Sequence, residues 1–431
     1  MGKVCIVGMG YVGMTLAMHA ARNGYEVHGI EIHEETYNLI KSGKTHFHEP
    51  GLDELLQTSL NKKFFIYSDV PDDQSFDVVI ITVGTPLDGE NIKSPNINIL
   101  NNAIDSIKHI INKDNLLILR STIPVGLTRE TSEVIGKLNN INPHVSFCPE
   151  RTAEGRALSE LRSLPQIISG INEESKAKAK IFFEPLVDEI IESSSLEEAE
   201  LIKLFNNTYR DSIFAISNTF NKIAQFYGVD GSSVINNANL NYPRSMIPKP
   251  GFVAGPCLEK DAYILSSRMN DDYLKDFIIK IRYANENLEV TFAEVLSNIL
   301  SSDSSLNVLI SGIAFKGVPQ TNDLRGSSSV RILDQLKNFN DQITIHDFMN
   351  TKETLEKSTG YKSIKPEDLN LSNKEKYDLI VILNNHPFYK NTSSKNFVNY
   401  QIDIGAKVID VWDVMELFDH KTISNIFIDS K

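Results

Sequence analysis

Cysteine is scarce: only Cys5, Cys148 and Cys257 occur in 431 residues. They are too few and too irregularly spaced for a disulfide framework, and no CxxC pair signals structural zinc. His46 and His48 form an HxH pair with no further cysteine or histidine beside it, so they read as loop residues and no metal is expected. Basic residues are in the minority. The 43 lysines and arginines face 56 aspartates and glutamates, and the formal charge of −13 opposes nonspecific attraction to nucleic acid or to an anionic membrane. No apolar run has the length of a membrane span. The opening MGKVCIVGMGYVG lacks the basic region, apolar segment and cleavage signal of a secreted precursor, and with reduced thiols it points to the cytoplasm.

What is present is a globular composition, 41% apolar and 23% charged, in a chain long enough for two or three domains. Residues 3–8 read as a buried strand, with a glycine turn and a helix around 14–22 after it, and Val27–Glu31 starts the next strand. Apolar runs at 78–83 and 116–120 continue a βα cadence, which implies a mostly parallel sheet. Cys5 lies inside the first of these strands and reads as core. From Leu196 to about Tyr227 apolar residues recur at helical spacing, and helices continue through 260–300. Strand signals at 306–315, 343–347, 377–383 and 407–411, with a helix around 326–338, then repeat the α/β pattern. The expected fold is α/β: two Rossmann-like domains joined by a long central helix and a helical middle domain. The boundaries fall at 1–195 for a dinucleotide-binding domain, 196–303 for a helical linking and dimerisation domain, and 304–431 for a second nucleotide-binding domain.

Gly8-Met9-Gly10-Tyr11-Val12-Gly13 is a GxGxxG turn between a strand and a helix, the context in which this motif carries information. Gly8 permits the tight turn, Gly10 the approach of a pyrophosphate, and Gly13 close helix packing, while the helix N–H groups face the phosphates. Glu31, 23 residues beyond Gly8, is placed to accept bonds from ribose hydroxyls and to repel a 2′-phosphate, which favours NAD over NADP. Thr85 and Pro86 in VGTP, and Thr122 in STIPVG, lie in loops after strands, where open α/β sheets bind ligands; by themselves these loops are equally well simple turns. Cys257 precedes Asp261 by one helical turn, which suits a nucleophile beside a water-orienting carboxylate, or an inert buried thiol. Lys203 and Asn207 share the same spacing and suit an oxyanion or a solvated helix face. Glu150 and Glu154 suit a water holder and a ligand contact, or salt bridges.

Seven segments in fixed order, GMGYVG, VGTP, RSTIPVG, CPERTAEG, KLFNNTYRD, GPCLEKD and AFKGVPQTNDLRGSS, resemble the UDP-glucose and UDP-N-acetylmannosamine dehydrogenase family over nearly the whole chain. The resemblance implies an NAD-dependent four-electron oxidation of a sugar C6 alcohol through a thioester on Cys257. It implies Lys203 and Asn207 as oxyanion stabilisers that also meet the substrate, and Asp261, Thr122 and Glu150 as water-positioning groups. Glu154, Lys260 and Lys316 would contact the nucleotide sugar, Tyr11 and Val12 the cofactor, and Arg325 the cofactor or a domain interface. A homodimer built on the linking helix is implied as well. Two departures stand out: the UDP-glucose branch reads GGxCLPKD, where this chain has Ala254 and Glu259, while YRDSIFA at 209–215 resembles the N-acetylhexosamine branch. Trp412 and Asp413 stand where the UDP-glucose branch has an arginine, and Trp412 reads as packing. An ordinary two-electron dehydrogenase, or a nucleotide-sugar-binding regulator without turnover, are the rival readings.

Initial rates with the two cofactors test the Glu31 reading. NAD is expected to give the higher specificity constant, and Glu31→Ala to narrow the difference; equal or better use of NADP by the parent enzyme contradicts it.

Overall fold

The computed structural model describes residues 2–71, 74–89, 93–417, 420–423 and 425–426. The chain forms two compact units, the first of Met1–Asn207 with Lys260–Lys275 and the second of Thr208–Glu259 with Asp276–Lys431. Both are α/β, and the helical middle region is divided between them. The helices Leu196–Phe226, Leu258–Ser266 and Asp272–Ser302 each carry the chain from one unit to the other.

The first unit is built on six parallel strands. Their spatial order is Phe64–Tyr67, Glu26–Ile30, Lys3–Val7, Val78–Ile81, Leu116–Leu119, His144–Phe147. In chain order this is 3-2-1-4-5-6, the winding that opens a crevice where the first and fourth strands part. The central strands are apolar without interruption because helices cover both faces of the sheet. Val4 and Ile6 enter one core cluster, with Val78 and Ile80, whereas Cys5 and Val7 enter the other, with Val79 and Ile81. Cys5 is thus core, as its strand context implies. The outer strands Phe64–Tyr67 and His144–Phe147 extend the sheet beyond the runs legible in the sequence.

The second unit repeats the winding with one strand fewer. Its order is Lys362–Ser363, Ile343–His346, Val308–Ser311, Leu379–Ile382, Lys407–Asp410, or 3-2-1-4-5. The apolar run at 306–315 yields only a four-residue strand, because Gly312 turns the chain at φ +92°.

Beneath the segment that leads to Cys257 lies a polar network without solvent. Arg282 and Asp211 are each 1% exposed or less, and the guanidinium donates to Asp211 Oδ1 at 2.6 Å. It also donates to the carbonyls of Leu258 at 3.2 Å and Val253 at 3.4 Å, one on either side of Cys257. Asn285 donates to the Asp211 carboxylate at 2.8 Å and receives a bond from Asn218 at 2.9 Å. Asn218 in turn brackets Gly251, donating to its carbonyl and accepting from its N–H. Burial pushes the Asp211 carboxyl up, and Arg282 and Asn285 oppose that. A charge pair this deep is held by its extra hydrogen bonds, and removal of one partner leaves the other uncompensated.

Arg282→Met is expected to destabilise the second unit by about 3–5 kcal/mol. Urea unfolding followed by the single tryptophan, Trp412, which belongs to that unit, measures this. The double variant Arg282→Met/Asp211→Asn should recover part of the loss. A loss under about 1 kcal/mol in the single variant, the size of a surface ion pair, contradicts the assignment.

Candidate active site

The glycine turn has the geometry its sequence implies. Gly8 lies at φ +92°, and a Cβ on Gly13 would come within 1.9 Å of the Gly8 carbonyl oxygen and 2.6 Å of Thr82 Oγ1. At Gly10 a Cβ would meet nothing within 4 Å, so this backbone stays open to a ligand. The helix Tyr11–Arg22 starts at Gly10 without a side-chain cap and without an acidic residue in its first turn, which leaves its N–H groups available to an anion. Thr82 fastens the turn to the fourth strand by donating to Gly8 O at 2.7 Å. Thr85, in the loop that follows, is buried and its hydroxyl has no hydrogen-bond partner. Ser121 donates to Val83 O at 2.6 Å and joins this loop to the one bearing half-buried Thr122, while Pro86 is exposed. Open glycine backbone, an uncapped helix and an orphaned hydroxyl together fit a dinucleotide pyrophosphate.

Glu31 is buried, and its carboxylate accepts from Met9 N at 3.1 Å and His33 N at 2.9 Å. It therefore holds the glycine turn in shape, and each oxygen retains a lone pair that can receive a ribose hydroxyl. Half-buried Val12 adds a side chain to the first turn of the helix. Tyr11 is more committed than its motif suggests. Its hydroxyl donates to Glu49 Oε2 at 2.5 Å, and Gly155 N donates to the same carboxylate at 2.8 Å. Burial, then Glu49, drives the Tyr11 hydroxyl far above its ordinary pKa. Buried Glu49, invisible as a site residue in the sequence, so ties the helix start to the loop carrying half-buried Glu154.

Four of the residues singled out by sequence form two bonded pairs in the first unit. Buried Lys203 donates its ammonium to the Glu150 carbonyl oxygen. One helical turn later, Asn207 donates to Asp261 Oδ2 at 2.6 Å, and Lys260 lies 3.2 Å from Asp261 Oδ1. The Glu150 carboxylate is engaged by Arg120 in a buried ion pair and by Thr152 N at 2.6 Å. Burial alone would push this carboxyl up; Arg120, the Thr152 N–H and Lys203 outweigh it and hold the pKa at about 2. Glu150 is therefore ionised, and what it presents to Lys203 is its backbone carbonyl. Arg120 also donates to Cys148 O at 2.9 Å and Gln166 Oε1 at 3.0 Å. Its place at the end of an apolar strand, in RSTIPVG, was the available signal for it.

In the second unit Cys257 is exposed immediately before the helix Leu258–Ser266, whose first turn carries Asp261. Cys5 and Cys148 are the contrast: both are buried, and burial pushes both thiols up to about 12. Of the three thiols, Cys257 is the one open to solvent. Its loop is pinned by Arg282 from below and by Gly255, which sits at φ +102° with its N–H on Gly326 O at 2.9 Å. A Cβ at Gly255 would strike the Phe315 ring at 2.6 Å. Glu259, the departure from the family proline, pairs with Arg331 at 3.2 Å, and Arg331 also meets buried Glu289 at 2.5 Å. Lys316 lies over the Phe315 ring, 5.1 Å from its centre, and exposed Arg325 is forked onto Asp323. Trp412 packs as expected: its Nε1 donates to Leu383 O at 3.0 Å, and its ring lies where a Cβ on Gly251 would come within 2.4 Å.

Three family models match successive parts of the chain. They are the NAD binding domain of the UDP-glucose/GDP-mannose dehydrogenase family at 2–187, its central domain at 197–287 and its UDP binding domain at 309–417. The chain is 32% identical over 406 residues to the UDP-N-acetyl-D-mannosamine dehydrogenase of Pyrococcus horikoshii, covering 91% of each. A solved structure of the Pyrococcus horikoshii UDP-D-ManNAc dehydrogenase is similar with a TM-score of 0.83 and 28% identity, over 98% of this chain and 99% of that one. The UDP-N-acetyl-mannosamine dehydrogenase of Staphylococcus aureus is similar with a TM-score of 0.83 and 26% identity, over 99% of both chains. With its glycine turn open to a dinucleotide and its single reachable thiol at the head of a helix, the chain belongs to the UDP-glucose/GDP-mannose dehydrogenase family.

Proposed function

We propose that this protein is an NAD-dependent UDP-sugar 6-dehydrogenase that oxidises a primary alcohol to a carboxylate through a thioester on Cys257, with UDP-N-acetylmannosamine as the substrate. The observation that carries the reading is Cys257 itself: exposed, held by a buried clamp, and one helical turn before an aspartate bonded to Asn207. Gly8, Gly10, Gly13, Glu31, Thr85 and Thr122 would hold NAD, which when bound would supply the two-electron acceptor for each of two oxidations.

The Cys257 thiolate adds to the C6 carbonyl carbon of the aldehyde, and the carbonyl oxygen becomes the anionic oxygen of a thiohemiacetal. Lys203 and Asn207 stabilise that charge. The second oxidation removes the remaining C6 hydrogen with its electron pair and leaves a thioester. Water, oriented by Asp261, attacks the thioester carbon, expels the thiolate and yields the carboxylate. Glu154, Lys260 and Lys316 are assigned to the nucleotide sugar, and Arg325 to the cofactor side. The sugar assignment is supported by YRDSIFA at 209–215 and by the names of the relatives, whereas CLEKD is closer to the UDP-glucose pattern.

The long helix supports a homodimer. Phe205, Tyr209, Ile216, Phe220, Ile223 and Tyr227 recur at helical spacing, and each is at least 45% exposed. A helical stripe of this size left to solvent is an association surface. No helix among the described residues is long and apolar enough to cross a membrane, and we assign the enzyme to the cytoplasm without nucleic-acid partners.

Three outcomes are expected. With UDP-N-acetylmannosamine, UDP-N-acetylglucosamine, UDP-N-acetylgalactosamine, UDP-glucose and GDP-mannose in one panel, UDP-N-acetylmannosamine should turn over best and form two NADH per acid; preference for UDP-glucose, or one NADH, contradicts the reading. Cys257→Ser should lower acid release by at least about a thousandfold while NAD and nucleotide-sugar binding persist. Sedimentation should give a dimer for the parent and a shift to monomer for Phe220→Asp; a monomeric active parent excludes the dimer.

A further inference from the structure

Outside the residues assigned to the candidate active site, three side chains converge at the C-terminal end of the last strand of the second unit. Asp410 ends the strand Lys407–Asp410, Asp413 follows in a turn at φ +51°, and His420 returns beside them. One ligand atom from each lies within 4.8 Å of the other two, and this is the one such group of three among the described residues.

The independent observation is Asp410. Its side chain is 0% exposed, and one carboxylate oxygen accepts from Met415 N at 2.8 Å, while Oδ1 is buried without a hydrogen-bond partner. A buried carboxylate with an unanswered oxygen costs several kcal/mol unless a proton or a cation compensates it. The neighbouring cations do not answer Oδ1. Lys249 is 4.0 Å from Asp413 Oδ2 and donates to the Trp412 carbonyl, and Lys390 is paired with Glu416 at 3.0 Å. His420 Nε2 is 3.0 Å from Asp413 Oδ1.

We propose that Asp410, Asp413 and His420 bind one zinc ion. Two carboxylates and an imidazole make a mixed oxygen and nitrogen set, which suits zinc, whereas calcium and magnesium take oxygen ligands. The ion would act as a clip. Lys421 N donates to Val408 O at 3.0 Å and Asp410 N to Lys421 O at 2.9 Å, so the segment after His420 is already laid on the strand. Two residues on, the Ile423 carbonyl receives Asn221 at 3.0 Å and Gln225 at 3.1 Å, both from the long helix. Metal binding at His420 would secure the segment that caps this helix face.

The full-length protein, stripped with chelator and dialysed, is titrated with zinc chloride by calorimetry, and again as Cys257→Ser so that the exposed thiol does not compete. One zinc per chain is expected in both, with a melting temperature raised by about 5–10 °C at roughly a hundred times the Kd. Asp410→Asn and His420→Gln should bind at least tenfold more weakly and lose the thermal shift, with Asp410→Asn at least as stable as the stripped parent. His420→Gln keeps a hydrogen-bond donor for Asp413 and serves where Asp410→Asn folds poorly. Absence of saturable binding in the Cys257→Ser protein, or unchanged binding in both ligand variants, overturns the site; an Asp410 that is simply protonated gives the first of these results.

Discussion

The position of the exposed Cys257 thiol depends on one buried charge. Arg282 has no solvent, and its guanidinium donates to the Asp211 carboxylate and to carbonyls on both sides of Cys257, while Nε, without a hydrogen bond, lies 3.6 Å from Glu286. The loop is thereby held by a group that cannot leave without breaking a buried ion pair. Asn285 and Asn218 extend the same hold to Gly251, and the Trp412 ring occupies the space where a Cβ on that glycine would lie. Cys257 is exposed while the backbone on either side of it is held. Catalysis by a nucleophile needs both properties at once.

The two α/β units use one solution to shape the turn after the first strand. In the first, Glu31 accepts from Met9 N, and in the second, Asp347 accepts from Ile313 N and Ala314 N, each acid standing directly after its sheet's second strand. The helices that follow differ in a way that matters for ligands. The helix at Tyr11 has no side-chain cap, whereas the helix Ser328–Gln335 is capped by Ser327, whose hydroxyl accepts from Ser329 N and Val330 N. A bare helix start can receive a pyrophosphate; a capped one has already spent those donors. The same winding thus leaves backbone donors open at the first unit's glycine turn and occupies them with a serine cap in the second.

Much of this was legible in the sequence because it depends on local pattern. Uninterrupted apolar runs marked the inner strands, helical spacing marked Leu196–Phe226 almost to the residue, and the glycine roles at 8, 10 and 13 follow from where a Cβ fits. The strands Phe64–Tyr67 and His144–Phe147, at the margins of the sheet, were harder to see: the first is only partly buried, and the second, HVSF, is interrupted by polar residues. The buried partners Glu49, Arg120, Asp211 and Arg282 could not be paired from sequence, since each meets a residue 28 or more positions away. Glu150 shows the cost of that blindness: its carboxylate serves Arg120, and the group facing Lys203 is a carbonyl, which no residue-type reading distinguishes.

The central claim is a covalent bond between sugar and Cys257, and rapid-quench mass spectrometry tests it most directly. The enzyme is mixed with NAD and UDP-N-acetylmannosamine, quenched in acid within a turnover, digested and mapped. A peptide containing Cys257 that carries the mass of the nucleotide-sugar acyl group, absent without NAD and absent from Cys257→Ser, is the predicted result. An unmodified Cys257 peptide at every quench time, with Cys257→Ser releasing the acid at a rate near the parent's, would contradict the account and leave a hydrated aldehyde as the species oxidised.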